Sequence, residues 1–375
     1  MTSIPILVFK GSHYELGYKI GTTFKNEIRK TLLELHKDNL QKCLDFYETK
    51  AGNVFCEGFL KAGYERFPHI MEELKGMAKA TEIPLQMMLI NNLEREILAK
   101  ITPMDESPGC TDVFVNNGTT RAWGHNEDGW PEMKPYTFFV MANIDPYIST
   151  NGSSYPREKF AAHCYPGNLP GWDFGFNYHG FAYSMNILMP KEVGVNTVCE
   201  VVLMRGMLSC SSVSEARERI LQEGYGISCG LSFQFSMVGE DHIYNIECAP
   251  NKPRSLISEI VIKAGGEHTP DGFFVRSNNY IHMPGQQTTI PSVFEREKIW
   301  KTYSPTSIQD IRTLLGDTQH AEFPIYRTGT KSDIWATVCT AVFDMNKKHL
   351  MFFRDNPATT DQLLTIPFDI LNMIW

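Results

Sequence analysis

The residues Ser107-Pro108-Gly109-Cys110-Thr111-Asp112-Val113 put a cysteine directly after a Pro-Gly pair and at the head of a β-branched run. A cut between Gly109 and Cys110 would make that cysteine an amino terminus. One residue would then carry both a nucleophile and a base. An unperturbed thiol has a pKa of about 8.5 and is only partly ionised at neutral pH, whereas an α-amine of pKa about 7.7–8.0 is well placed to take its proton. A cysteine in this place can equally be a small buried hydrophobe. On this residue alone both readings stand.

Other polar positions gather chemistry of the same kind. Asn126-Glu127-Asp128 ends the stretch that follows the Cys110 segment. In a hairpin its end lies near Cys110, so Asp128 would reach the new α-amine; a turn-forming or solvated aspartate is the plainer reading. Asn186 closes an apolar stretch, where a buried amide needs a partner. Ser277-Asn278-Asn279 follows the apolar run Phe273-Phe274-Val275. Asparagine amides at strand ends suit an oxyanion hole, since they stabilise a tetrahedral intermediate without adding a titrating group. His125 is the one histidine beside such groups, and a lone strand histidine is usually structural.

Competing signatures are weaker. Gly226-Ile227-Ser228-Cys229-Gly230 matches the GxSxG serine elbow, which needs a strand before the serine and a helix after it. Here a helical pattern precedes and a strand pattern follows. There is no HExxH, no Walker loop and no GxGxxG, so neither a metal nor a cofactor is expected.

The elements that would position these residues fall into two textures. The first hundred residues read as helical, with a capping box at Ser12-His13-Tyr14-Glu15 and apolar residues at helical spacing from Leu16 to Leu35. Further helices are expected over 55–80 and 84–100. From Cys110 onward the pattern alternates. Residues 110–115 and 121–127 flank Asn116-Asn117-Gly118, a hairpin turn signal. Strands are expected at 136–144, 157–164, 173–188, 231–238, 242–248, 257–263, 336–344 and 348–354, and helices at 197–208, 212–223, 290–302 and 306–315. Runs of strands with clustered helices indicate an α+β fold.

A chain of 375 residues with 42% hydrophobic and 21% charged residues can bury a large core. A net charge of −8 without basic runs excludes a nucleic-acid surface. No stretch is long enough to span a membrane, and the start lacks a signal-peptide pattern. Nine cysteines, odd in number and without CxxC, read as reduced thiols in a cytoplasmic protein. Asn117-Gly118-Thr119 and Asn151-Gly152-Ser153 are then turns rather than glycosylation sites.

Taken in order, Gly109-Cys110-Thr111, the hairpin to Asn126-Glu127-Asp128, Asn186 and Ser277-Asn278-Asn279 resemble the acyl-coenzyme A:6-aminopenicillanic acid acyltransferase family of N-terminal-nucleophile cysteine hydrolases. Gly11-Ser12-His13-Tyr14-Glu15-Leu16-Gly17 and Asn91–Glu96 resemble that family's amino-terminal region. The resemblance covers most of the chain. It implies a four-layer αββα sandwich and self-cleavage between Gly109 and Cys110. A helical segment 1–109 and a catalytic part 110–375 would then remain together as a heterodimer. Cys110 would be the nucleophile and its own amine the base. Asp128 would orient that amine, and Asn278 would donate to the oxyanion. Asn186 and Asn126 would support them. Within the family the likeness is greatest to the branch that hydrolyses N-β-alanyl amides of biogenic amines, such as N-β-alanyldopamine and carcinine. Such a small-molecule substrate carries an ammonium and an aromatic ring, for which Glu127 and Trp130 are the candidate partners. The penicillin acyltransferases have Ser-Arg where this chain has Asp333-Ile334, which points away from a β-lactam. An acyltransferase and a non-catalytic binding protein on the same scaffold are the alternatives.

Overall fold

The computed structural model describes residues 3–102, 109–286, 291–330 and 333–375; Ser107 and Pro108 of the expected cleavage segment lie outside them. An eight-stranded sheet has the spatial order Ile6–Gly11, Phe138–Ile144, Glu158–Cys164, Phe174–Asn177, Phe181–Leu188, Gly230–Met237, Ile243–Ala249, Leu256–Ile262. Its first pair is parallel and the rest are antiparallel. A six-stranded antiparallel sheet has the order Phe273–Arg276, Cys110–Asn116, Arg121–Gly129, Ala336–Asp344, His349–Phe353, Leu364–Pro367.

Side-chain alternation stacks these sheets into four layers. Phe138, Val140 and Ala142 join a core with Leu16, Phe24, Ile70 and other residues of the amino-terminal helices. Phe139 and Met141, the alternate residues of the same strand, pack against Phe114, Trp123 and Phe352 of the six-stranded sheet. On that sheet's other face, Val113, Val115 and Ala122 pack against Ile311, Leu314 and Trp300. The order is therefore helices, sheet, sheet, helices: the αββα sandwich.

The sequence expectations fail at identifiable points. The helix expected over 55–80 is two helices, Lys50–Arg66 and Pro68–Thr81. Pro68 has no N–H to continue the first, and it disfavours a helical residue before it. The helix expected over 84–100 breaks at Asn92, whose Nδ2 donates to the Met88 and Gly167 carbonyls at 2.9 Å each. The strand expected over 173–188 is two strands joined at Gly180, where φ is +80°. The strand Ile6–Gly11 escapes the pattern, so the first hundred residues are not purely helical. The capping box at Ser12 is present.

Candidate active site

A hairpin brings the site together. In its turn Asn117 Oδ1 accepts from the backbone N–H groups of Thr119 and Thr120 at 3.1 and 2.9 Å, and Gly118 takes a φ of +91°. The resulting register sets Cys110 opposite Glu127 and Asp112 opposite His125. Residues directly opposite in an antiparallel ladder share a face. Cys110, Asp112, His125 and Glu127 therefore point between the two sheets, and all four are buried.

Both ends of Cys110 are held. Its backbone N–H donates to Asn278 Oδ1 at 2.9 Å, and its Sγ lies 3.6 Å from Glu127 Oε2. Its carbonyl accepts from Arg296 Nη1 at 2.7 Å. Before it, the Gly109 carbonyl accepts from the Asp128 backbone N–H at 3.1 Å. Gly109 is closely approached: an added Cβ would sit 2.9 Å from Arg296 Nη2 and 3.0 Å from Arg327 Nη1. Burial pushes the Cys110 thiol well above its ordinary pKa, and the carboxylates of Glu127, Asp128 and Asp112 add to this against the opposing Arg296. The thiol is thus protonated and needs a base.

A chain of buried polar groups runs inward from the sulfur. Tyr165 Oη donates to Glu127 Oε1 at 2.9 Å, and His125 Nε2 lies 3.2 Å from Glu127 Oε2. His125 Nδ1 lies 2.9 Å from Asp112 Oδ2. Asp112 in turn accepts from Ser184 Oγ and Asn186 Nδ2, each at 2.6 Å. Burial lowers the pKa of His125, but Asp112 and Glu127 outweigh it and carry it up to about 10. It is an imidazolium that donates to both carboxylates. Burial raises Glu127, with His125 and Tyr165 opposing.

Asp128 is placed differently. Its Oδ1 accepts from Thr337 Oγ1 at 2.8 Å, while its Oδ2 is buried without a hydrogen-bond partner among the described residues. Burial carries its pKa up to about 7, although Arg327 and Arg296 pull it down.

Cys110, Glu127 and Asp128 line a cavity of about 400 Å³. The amino-terminal segment also contributes to its lining, through His36, Asn39, Asn91 and Glu94. Aromatic rings flank it: Trp130 lies 4.3 Å from Trp335, and Tyr165 lies 6.0 Å from Trp172, between ring centroids. Burial pushes the Glu94 carboxyl up to about 7, and a hydrogen bond from Asn39 only partly offsets this.

The anticipated residues divide. Cys110, Asp128, Asn278 and Glu127 converge, and Trp130 lines the cavity. Asn278 presents its amide oxygen to Cys110 and to Arg296 Nη2 at 2.9 Å, while its Nδ2 donates to the Ile187 carbonyl at 3.0 Å. Asn186 serves Asp112 and accepts from Gln234, one step away from the sulfur. Asn126 faces the outer helices instead, donating to the Leu315 and Ile325 carbonyls at 2.8 and 3.2 Å. Side chains alternate along a strand, so residue 126 cannot share the face of 127. The Glu127 oxygens already face Tyr165 Oη and His125 Nε2. Sequence reasoning missed Asp112, Tyr165, Arg296 and Trp335. Of these only Asp112 carried a local signal, standing two residues from Cys110 on the same face.

Other sequence features are structural. Ser228 of the GxSxG match donates to Glu96 Oε1 at 2.6 Å, outside any nucleophile–base pair. All nine cysteines are free and buried. Ligand atoms of Cys110, His125 and Glu127 lie within 4.8 Å of one another. His13, His69 and Glu158 form a second such group, with the Arg205 guanidinium 2.8 Å from Glu158 Oε2. No described helix is long and apolar enough to cross a membrane.

A four-layer αββα sandwich with a cysteine heading a central strand is the architecture of the N-terminal-nucleophile hydrolases. A family model described as acyl-coenzyme A:6-aminopenicillanic acid acyl-transferase matches residues 115–359, and the chain belongs to this family. It is 27% identical over 377 residues to the β-alanyl-dopamine/carcinine hydrolase of Drosophila melanogaster, covering 97% of this chain and 96% of that protein. It is 25% identical over 246 residues to the 40 kDa form of acyl-coenzyme A:6-aminopenicillanic-acid-acyltransferase from Emericella nidulans, covering 64% and 62%. Among solved structures, a Caenorhabditis elegans ortholog of N-acylethanolamine-hydrolyzing acid amidase aligns with a TM-score of 0.39 and 10% identity, over 63% of this chain and 93% of that one. Penicillin V acylase from Agrobacterium tumefaciens aligns with a TM-score of 0.41 and 11% identity, over 65% and 82%. The chain is an enzyme of the cysteine amidohydrolase type.

Proposed function

We propose that the chain cuts itself between Gly109 and Cys110 and then hydrolyses the amide of an N-β-alanyl amine through a thioester on Cys110. The observation that carries this reading is the setting of Cys110. Cys110 and Asp128 line the same cavity, the Cys110 nitrogen is gripped by Asn278, and Asp128 Oδ2 has no hydrogen-bond partner among the described residues. Once freed, that nitrogen takes the thiol proton as sulfur attacks the substrate carbonyl. Asp128 holds the resulting ammonium. Asn278 Nδ2 has a second proton beyond the one given to Ile187, and it donates to the oxyanion. The ammonium then protonates the leaving amine, and water releases the acyl group.

Two features support the substrate class. The Drosophila melanogaster relative carries the name β-alanyl-dopamine/carcinine hydrolase. The cavity also combines aromatic walls with the half-buried Glu94 carboxyl, whose pKa burial raises and whose charged form a bound cation would favour. Trp130 and Trp335 flank the ring of the amine, and Glu94 takes the ammonium.

The two fragments stay together because helices before residue 109 share one core with the eight-stranded sheet. The test is to incubate processed enzyme with N-β-alanyldopamine, carcinine, penicillin G and a conjugated bile salt, and to measure released amine. Release from a β-alanyl compound alone supports the assignment, and preference for either of the others rejects it. The family description favours a second reading, transfer of the acyl group to an amine. Capture of the acyl group by added amine, in place of water, would identify it.

A further inference from the structure

The self-cleavage proposed above has a requirement that turnover does not. In the intact chain the Cys110 nitrogen is an amide, with its N–H bonded to Asn278 and no lone pair to accept a proton. The base that serves the mature enzyme does not yet exist. The thiol is nevertheless protonated in its buried setting, so another group must take the proton before sulfur can attack Gly109.

We propose that Glu127 is this base: it is a catalytic residue of the self-cleavage step, distinct from the α-amine that serves turnover. Glu127 Oε2 lies 3.6 Å from Sγ, within reach of a sulfur hydrogen bond. Among the described residues it is the side chain so placed. The carboxylate is fixed in position by Tyr165 Oη at 2.9 Å and by His125 Nε2 at 3.2 Å. His125 is itself anchored by Asp112, which Ser184 and Asn186 hold from the neighbouring sheet. The charged and titratable groups that act on Glu127 include Cys110, Asp128, His125, Tyr165, Asp173 and Cys339. Burial without full compensation makes Glu127 a stronger base than a solvated carboxylate.

The scissile bond is prepared as well. The Gly109 carbonyl oxygen accepts from the Asp128 backbone N–H at 3.1 Å, a donor that stabilises an oxyanion formed there. The Sγ proton passes to Glu127, and sulfur bonds to the Gly109 carbonyl carbon. The Gly109 C–Cys110 N bond then breaks, and the departing nitrogen takes the proton from Glu127. The product is a Gly109 thioester on Cys110 with a free α-amine. Water adds to that thioester, giving a Gly109 carboxylate and restoring the thiol.

This inference rests on the self-cleavage reading, and the test separates the two. The full chain is made by cell-free synthesis, and precursor and fragments are followed in time on denaturing gels. Wild type is expected to be cut and Cys110→Ala to stay whole. Glu127→Gln is expected to be cut at least ~100-fold more slowly, the lower end of what a general base contributes. Its residual rate should rise about tenfold per pH unit between about pH 6 and 8, because hydroxide must then make the thiolate, whereas wild type rises less steeply. Glu127→Asp keeps a carboxylate and should recover at least a tenth of the wild-type rate, which decides the matter if Glu127→Gln does not fold. A wild-type chain that stays whole rejects self-cleavage itself. A cut wild type with Glu127→Gln matching its rate and pH profile overturns the role of Glu127 alone. So does Glu127→Asp as slow as Glu127→Gln.

Discussion

Replacing Asp128 by Asn should change how stability depends on pH, and by an amount the site itself sets. The experiment belongs in a Cys110→Ala background, where cleavage cannot intervene. Burial raises the Asp128 pKa from 3.8 to about 7 in the folded chain. A raised folded pKa means that the folded state holds its proton more tightly. The associated stability is complete below pH 3.8 and is lost as pH rises through about 7. Between about pH 5 and 6 the folded state binds nearly one proton more than the unfolded state, so that each pH unit costs about 1.4 kcal/mol, and the difference falls to about half a proton at pH 7. The chain with Asp128 should therefore lose about 2–3 kcal/mol between pH 5 and 8 that the Asp128→Asn chain does not. Urea denaturation of both at the two pH values measures the difference directly. Parallel pH dependences would refute the claim that a costly buried carboxylate is kept there. In the Cys110-containing chain the same substitution should slow cleavage, turnover or both with the fold intact. Together the two results describe a group that costs stability in the precursor and serves the ammonium formed on cleavage.

Other expectations follow from single contacts. Gly109→Ala sets a methyl against the Arg296 and Arg327 guanidiniums, and an overpacking cost of about 1–3 kcal/mol should slow self-cleavage roughly 5- to 100-fold on timed gels. Glu94→Gln should raise KM for a β-alanyl amine about tenfold with less change in kcat, the loss of one charge-assisted contact of about 1.5 kcal/mol. In wild type the same KM should rise as pH falls below about 7, because the protonated Glu94 no longer attracts an ammonium; a flat KM between pH 6 and 8 would remove Glu94 from substrate binding. Asn126→Ala strips two buried carbonyls of their donor and should cost about 1–3 kcal/mol in denaturant stability. A loss of turnover beyond that instability would contradict its outward orientation.

Local signals carried the central hairpin. Asn117-Gly118 marks the turn, and a Pro-Gly-Cys segment marks the start of the strand. The turn then fixes the register that brings Cys110 to Glu127. Counting by two along each strand would also have joined Asp112 and His125 to that face and moved Asn126 off it. Other parts of the site were out of reach because their positions depend on pairings far along the chain. Trp335 meets Trp130 through the strand that begins at Ala336, and Arg296 reaches Cys110 from an outer helix far along the chain. Tyr165 follows a strand of the other sheet. The edge strand Ile6–Gly11 is legible only once Phe138–Ile144 is in place beside it, because its own residues are half exposed.

The most direct test of the account is intact mass and amino-terminal sequencing of the purified wild-type protein. Two fragments of roughly 12 and 30 kDa are expected, in proportion to their shares of the 42.7 kDa chain, with the larger one beginning at Cys110 and the two eluting together until denatured. A single uncut chain that hydrolyses its amide substrate at full rate would contradict the claim that Cys110 acts through its own α-amine.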